Sequence, residues 1–135
     1  MTPSFDWGLL IDKARSAALN AYSPYSKFRV GAAVLVADGR IFTGCNIESA
    51  SYGLTVCAER IALFSAVATG ARDFTRLAVA CLDAPSSPVE LRMPCGACRQ
   101  VMAELLANNA EVMIDGVGVR TMSELLPDAF RLGGS

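Results

Sequence analysis

The sequence contains no histidine, and this absence narrows the chemistry that the chain can perform. Without histidine there is no Ser-His-Asp or Cys-His nucleophile pair, and no histidine-ligated zinc or iron site. Any general acid or base must be a carboxylate, a lysine, a tyrosine or a cysteine. Catalysis in this chain would therefore depend on its acidic residues and on its five cysteines.

A net charge of appreciable size is also missing. Lysine and arginine number 12, aspartate and glutamate number 13, and the net charge is -1. That balance gives no basic field for a phosphate backbone, so we expect no nucleic-acid partner. An enzyme that edits nucleic acids would need a basic channel for single strands and is disfavoured on the same ground.

Long apolar runs and targeting signals are absent as well. No run reaches the roughly 18 apolar residues that a membrane span requires. The segment Met1–Asp6 lacks the charged and apolar regions of a secretory signal. We expect a cytoplasmic protein with no membrane partner. In that reducing compartment an odd number of cysteines indicates metal ligands or catalytic thiols rather than disulfides.

The length of 135 residues predicts one domain, residues 1–135, and 53% hydrophobic residues suffice for a packed core. Alternating strands and helices after a hairpin at Asp38-Gly39 predict a three-layer α/β/α sandwich with a mixed five-stranded sheet. Ser4 and Thr55 are the expected N-caps of the first two helices. The predicted helices cover residues 4–20, 56–68, 95–107 and 121–126, and the predicted strands cover 28–37, 40–45, 77–82, 111–114 and 117–120.

The stretch Pro94-Cys95-Gly96-Ala97-Cys98-Arg99 places two thiols on one face of a predicted helix start. Proline suits the first helical turn, and free N–H groups at a helix N-terminus favour thiolate over thiol. A thiolate pair of this kind chelates zinc. By itself the pair could equally be a redox couple or half of a structural four-cysteine site.

A third thiol, Cys57, also precedes a predicted helix, whereas Cys45 and Cys81 lie in apolar strands and are expected to be buried core residues. Three thiolates leave one tetrahedral position open, as in catalytic zinc sites. Glu59 then becomes the natural general base, since histidine is unavailable. The alternative is that Glu59 only compensates the helix dipole.

Arg60 and Arg99 each follow a ligand position closely. One or both could donate hydrogen bonds to the thiolate sulfurs and offset their negative charge. The alternative is that both are ordinary surface arginines.

These two motifs, Cys57-Ala58-Glu59-Arg60 and Pro94 to Gln100, resemble those of the zinc-dependent cytidine deaminases of the small, tetrameric, three-cysteine type. Asn46-Ile47-Glu48 is a third matching motif, and the resemblance extends from Tyr22 to Pro127. It implies hydrolytic deamination of cytidine and deoxycytidine to uridine and deoxyuridine in pyrimidine salvage, with one zinc ion per subunit and with Glu59 carrying protons.

The resemblance also implies roles in substrate binding. The backbone at Ala58 would meet the base, Phe28 would stack beside it, and Asn46 and Glu48 would hydrogen-bond the ribose 3′-hydroxyl. Without the family, Phe28 could simply begin a core strand, and the two polar residues could stabilise a solvated loop.

The family's active sites lie at interfaces of a homotetramer. The resemblance implies that Tyr52 and Phe130 reach the site of a neighbouring subunit. Asp128 stands where the family often has glycine, which leaves the path of this tail open.

Three other functions are consistent with part of this sequence pattern. The first is deamination of another aminopyrimidine nucleoside such as blasticidin S, against which Phe28, Asn46 and Glu48 argue. The second is a non-enzymatic protein with structural zinc, which needs a fourth protein ligand. The third is a thiol redox module, which leaves Cys57 and Glu59 without a role.

Overall fold

One mixed sheet runs through the centre of the molecule, with strand order β2-β1-β3-β4-β5. A computed structural model describes residues 5–132 of the chain. Only the β3–β4 pair is parallel among the described strands, and the other three pairs are antiparallel. The strands are β1 Val30–Val36, β2 Ile41–Cys45, β3 Phe74–Cys81, β4 Leu106–Ile114 and β5 Gly118–Thr121.

Helices cover both faces of the sheet, because the strands carry apolar residues on alternating sides. α1 packs against one face through Leu10 and Ala14, which meet Ala33, Ala78 and Ala80. The other face is covered by α2, α3 and the short α4, and it contains most of the core. The helices are α1 Gly8–Ala18, α2 Ala58–Ala68, α3 Gly96–Leu105 and α4 Met122–Leu125. The predicted three-layer sandwich is therefore confirmed.

Two glycines allow the helices to approach the sheet closely. A Cβ on Gly31 would lie 1.9 Å from the Ala14 carbonyl oxygen of α1. A Cβ on Gly44 would lie 2.4 Å from the Ala62 nitrogen of α2. Both distances are to backbone atoms, so neither position leaves room for a larger residue.

The first helix begins later than predicted. The Asp6 carboxylate accepts the N–H of Gly8 at 2.9 Å, and the helix starts at that glycine with Trp7 as its N-cap. Ser4, the expected N-cap, lies outside the described residues. Within the described part of the chain, no helix has both the length and the apolar character needed to cross a membrane.

The predicted N-cap of the second helix, Thr55, was wrong by two residues. Val56 and Ile47 exchange backbone hydrogen bonds of 3.0 Å, which keeps the chain extended up to Cys57. Cys57 is therefore the N-cap residue of α2. This difference matters, because it sets a thiol at the open end of the helix.

The third helix was predicted to end at Asn108 and Asn109, and this was also wrong. The chain becomes extended at Leu106, which pairs with Phe74 of β3, and β4 then runs through both asparagines. Helical spacing in the second helix also predicts that Phe64 faces the core, and Cys45 was expected there too, but Phe64 is exposed and Cys45 is half-buried.

Candidate metal centre and active site

Three cysteines from two helix starts meet at one point. Cys57 and Cys95 are the N-cap residues of α2 and α3, and Cys98 lies in the first turn of α3. The Cys57 and Cys95 sulfurs are 3.7 Å apart, and those of Cys95 and Cys98 are 3.4 Å apart. All three sulfurs lie within 4.8 Å of one another. We call Cys57, Cys95 and Cys98 the three-thiol group.

The three-thiol group fits zinc. Tetrahedral zinc bonds sulfur at about 2.3 Å, which places two ligand sulfurs about 3.8 Å apart. The two observed sulfur–sulfur distances of 3.7 and 3.4 Å lie slightly below that value. The group would hold Zn²⁺ with three protein ligands, and the ion would supply Lewis-acid chemistry there.

Arg60 supplies positive charge beside the three-thiol group. Its Nη2 donates to Cys57 Sγ at 3.5 Å. Hydrogen bonds from Cys98, Arg60 and Cys95 lower the pKa of Cys57 to about 5, although burial opposes them. The thiolate that zinc requires is thus stabilised before any metal binds.

The two arginines singled out from the sequence have different environments. Arg99 donates to the carbonyls of Pro94 at 2.8 Å and Leu125 at 2.7 Å rather than to a sulfur. It ties the residue before Cys95 to α4. Arg60 is the one that touches a thiol, and within residues 5–132 its buried Nε has no hydrogen-bond partner.

Glu59 is buried beside the three-thiol group, with 4% of its surface exposed. The pKa of Glu59 is raised to about 7, chiefly by burial and also by the negative charge on Cys57, although hydrogen bonds oppose both effects. A carboxyl group with such a pKa can both accept and release a proton near neutral pH. Simple compensation of the helix dipole would not require burial.

A cavity of about 500 Å³ opens onto this carboxyl group, a volume typical of small-ligand sites, which span about 300–1,000 Å³. We call it the inner cavity. Cys57, Cys95 and Glu59 line it, and so do Phe28, Asn46 and Glu48. The structure thus brings six of the predicted site residues around one space. Ala58 begins α2 beside them, where its N–H has no partner within the helix.

The inner cavity also contains residues that sequence reasoning did not select. Val79 and Cys81 of β3 and the segment Leu91–Met93 line it. Cys81 was expected only in the core. The available signal was its position at the end of a buried strand, directly before the loop that leads to Cys95.

Asn46 and Glu48 are held in place by hydrogen bonds to backbone groups. Asn46 is buried, and its amide accepts the Val30 N–H at 2.9 Å and donates to the Phe28 carbonyl at 2.8 Å. The Glu48 carboxylate accepts the backbone N–H groups of Tyr25 and Ser26. An amide and a carboxylate retain further hydrogen-bonding capacity for a ligand after these contacts.

Tyr52 and Phe130 are 79% and 69% exposed, respectively. Tyr52 lines a neighbouring depression of about 330 Å³, the outer hollow, together with Tyr25, Ser26 and Glu48. Neither aromatic ring lines the inner cavity of its own chain. Asp128 has a φ of 51°, a left-handed backbone conformation that glycine adopts more easily.

The fold and the site define a class of protein. A three-layer sandwich presents a three-thiol group that fits zinc and, in the same cavity, a buried carboxyl group with a raised pKa. This arrangement is that of a zinc-dependent hydrolase.

Comparison with known proteins identifies the family. Residues 8–114 match the cytidine and deoxycytidylate deaminase zinc-binding region. A Mycobacterium tuberculosis cytidine deaminase is 49% identical over 96% of this chain and 93% of its own length. One from Halalkalibacterium halodurans is 50% identical over 93% and 94%, respectively. The crystal structure of a Burkholderia pseudomallei cytidine deaminase, 48% identical, superposes with a TM-score of 0.83 over 93% of this chain and all of that chain. The chain belongs to the cytidine and deoxycytidylate deaminase family, as its motifs predicted.

Proposed function

We propose that the chain catalyses the hydrolytic deamination of cytidine and deoxycytidine to uridine and deoxyuridine, with release of ammonia, in pyrimidine salvage. The observation that carries this proposal is a buried Glu59 sharing one cavity with the three-thiol group. Relatives named cytidine deaminase at 49% and 50% identity support it.

The chemistry follows from the positions of the groups. Zinc, when bound, supplies a Lewis acid that activates the attacking water. Glu59 would take a proton from that water, place it on N3 of the pyrimidine, and pass a second proton to the departing amino group. One water molecule enters and one ammonia leaves, so the atoms balance.

The remaining residues would bind and orient the nucleoside. Phe28 would stack on the base, and the free N–H of Ala58 would meet its polar edge. Asn46 and Glu48, which also line the inner cavity, would hold the ribose 3′-hydroxyl. Arg60 would keep the Cys57 thiolate charge balanced.

A nucleotide is a less suitable substrate than a nucleoside for this cavity. Glu48 and Glu59 line it, and among its described lining residues Arg92 is the one cation. The Arg92 guanidinium already donates to the carbonyls of Ala84, Pro85 and Asp115. A 5′-phosphate would therefore meet carboxylates without a free cation to pair with.

We further propose a homotetramer with active sites at subunit interfaces and one domain over residues 1–135. The exposure of Tyr52 and Phe130 supports the assembly, because large exposed aromatic rings are common where a partner covers them. Light scattering gives the oligomeric state. The cytoplasmic location stays a prediction, to be tested by cell fractionation.

The test of function is turnover of cytidine, deoxycytidine, free cytosine, deoxycytidylate and blasticidin S by purified protein, with and without a zinc chelator. We expect ammonia release from the two nucleosides alone and its loss with the chelator. A Glu59→Gln variant should retain zinc and lose about 10²–10⁴ in kcat. Activity on blasticidin S alone, or an undiminished Glu59→Gln variant, would contradict the proposal.

A further inference from the structure

The loop between α1 and β1 contains Tyr22-Ser23-Pro24-Tyr25-Ser26, which has no part in the reaction described above. Its last residue, Ser26, lines both the inner cavity and the outer hollow. The Ser26 hydroxyl contacts two residues of the nucleoside site at once. It donates to Glu48 Oε2 and accepts the N–H of Phe28 at 3.0 Å.

The same loop holds the other oxygen of this carboxylate. Glu48 Oε1 accepts the N–H of Tyr25 at 3.0 Å and that of Ser26 at 3.1 Å. Three donors from two adjacent residues thus fix one carboxylate in position and angle. These contacts, with the Ser26 hydroxyl foremost, lower the pKa of Glu48 and keep it an acceptor.

The backbone of Phe28 is fixed by hydrogen bonds to Ser26 and Asn46. Its N–H is held by Ser26, and its carbonyl accepts from Asn46 at 2.8 Å. The backbone that carries the proposed base-stacking ring is therefore bonded directly to the sugar-side residues. One hydroxyl group, that of Ser26, therefore connects the Glu48 carboxylate to the backbone of Phe28.

We propose that Ser26 is a positioning residue that sets the distance and angle between the base-binding ring of Phe28 and the sugar-binding carboxylate of Glu48. A hydroxyl suits this role because it can donate and accept a hydrogen bond at the same time. The inference rests on the proposed function, in which Glu48 meets the 3′-hydroxyl. It predicts that replacing Ser26 lowers kcat/KM mainly for substrates that carry the 3′-hydroxyl. The zinc content of the protein should not change.

The experiment combines enzyme variants with paired substrates. Ser26→Ala, Ser26→Thr and wild type are assayed on cytidine and on 3′-deoxycytidine, which lacks the hydroxyl that Glu48 would bind. We expect Ser26→Ala to lose about tenfold in kcat/KM on cytidine, mainly through KM, and less than about threefold on 3′-deoxycytidine. Ser26→Thr keeps the hydroxyl and should recover to within about threefold of wild type on cytidine.

Two controls separate positioning from a general loss of structure. Ser16→Ala removes another exposed serine hydroxyl, on α1 and outside the inner cavity, and should leave both substrates unaffected. Zinc content and melting temperature are measured for every variant and should match wild type. Should Ser26→Ala not fold, the nearly isosteric Ser26→Cys carries the same comparison, since a thiol is a weak donor and acceptor.

The possible results distinguish a failure of the proposed role of Ser26 from a failure of the proposed deaminase function. Equal losses on the two nucleosides, or no loss on cytidine, would overturn the role of Ser26 while deamination itself stands. A wild-type protein that converts neither nucleoside would overturn the proposed function and the inference together. A larger loss on cytidine, restored by threonine, supports it.

Discussion

Two groups of residues that line the inner cavity are held in place in different ways. We call them the metal end, around Cys57, Cys95 and Glu59, and the sugar end, around Phe28, Asn46 and Glu48. At the metal end, Cys98 and Glu59 are buried and project from the first turns of two helices. At the sugar end, Ser26 is exposed, Glu48 is half-buried, and loops hold both through hydrogen bonds to backbone groups. Core packing fixes the buried Cys98 and Glu59, whereas a local hydrogen-bond network fixes Ser26 and Glu48. Damage to the first should cost zinc and kcat, and damage to the second should cost KM.

The largest effect is expected for Cys98→Ser, at the buried centre of the metal end. A hydroxyl is a poor zinc ligand, so the variant should purify with little zinc. Its kcat should fall about 10³-fold or more, because the several kcal/mol that the metal contributes to the transition state are lost. The melting temperature should also drop, since a ligand that binds only the folded state stabilises it.

Metal analysis, steady-state kinetics and thermal melting check this prediction. Cys45→Ser is the matched control, because Cys45 is a half-buried thiol outside the three-thiol group. It should keep one zinc per chain. A fully zinc-loaded, active Cys98→Ser protein would remove Cys98 from the ligand set.

A smaller effect is expected for Arg60→Gln, which removes the cation at Cys57. Groups that contact metal ligands in this way typically change metal affinity or activity by about 10–100-fold. Arg60→Lys keeps the charge and should lose less than Arg60→Gln. Arg72→Gln is the control, since among residues 5–132 the Arg72 side chain bonds only to the carbonyls of Val67 and Ala71. A zinc affinity that is equal in Arg60→Gln and wild type, with kcat unchanged, would contradict this role.

The same contrast explains how far the sequence could predict the site. Cysteine spacing and the absence of histidine limited the metal ligands to a few residues, because zinc chemistry requires particular atoms at particular separations. The layer architecture followed from the alternation of strands and helices after a hairpin, because few arrangements bury the apolar faces of such elements. The role of Ser26 left no such trace, since a serine after Pro24-Tyr25 looks like any other loop residue.

Helix boundaries were the part of the fold that local patterns misplaced. Thr55 has good N-cap chemistry, but the bridge between Val56 and Ile47 keeps the chain extended past it. Asn108 and Asn109 look like a helix end, yet Leu106 and Glu111 on either side of them pair with β3, so both asparagines lie within strand β4. In both places a contact between residues distant in sequence outweighed the local propensity.

At the sugar end, Glu48→Gln should raise KM for cytidine about tenfold, because a neutral amide accepts hydrogen bonds more weakly than a carboxylate. Zinc content should be unchanged and kcat should change less than KM. Asp12→Asn, an exposed acid on α1, is the control for loss of one negative charge. A loss of zinc in Glu48→Gln would show that the two ends are not separable.

The smallest effect is expected for Cys81→Ala. This variant tests whether Cys81 is a zinc ligand. Cys81 lines the inner cavity, but it is not one of the three clustered thiols, and its Sγ donates to the Arg92 carbonyl at 3.8 Å. Burial raises the pKa of Cys81 to about 12, and its sulfur lies outside the three-thiol group. Cys81→Ala should therefore keep one zinc per chain and a kcat/KM within about threefold of wild type, with a stability loss of about 1 kcal/mol from the vacated space. Zinc stoichiometry and denaturant unfolding measure both quantities. A variant that loses zinc would instead make Cys81 a fourth ligand, closing the position that substrate water needs and favouring a structural over a catalytic site.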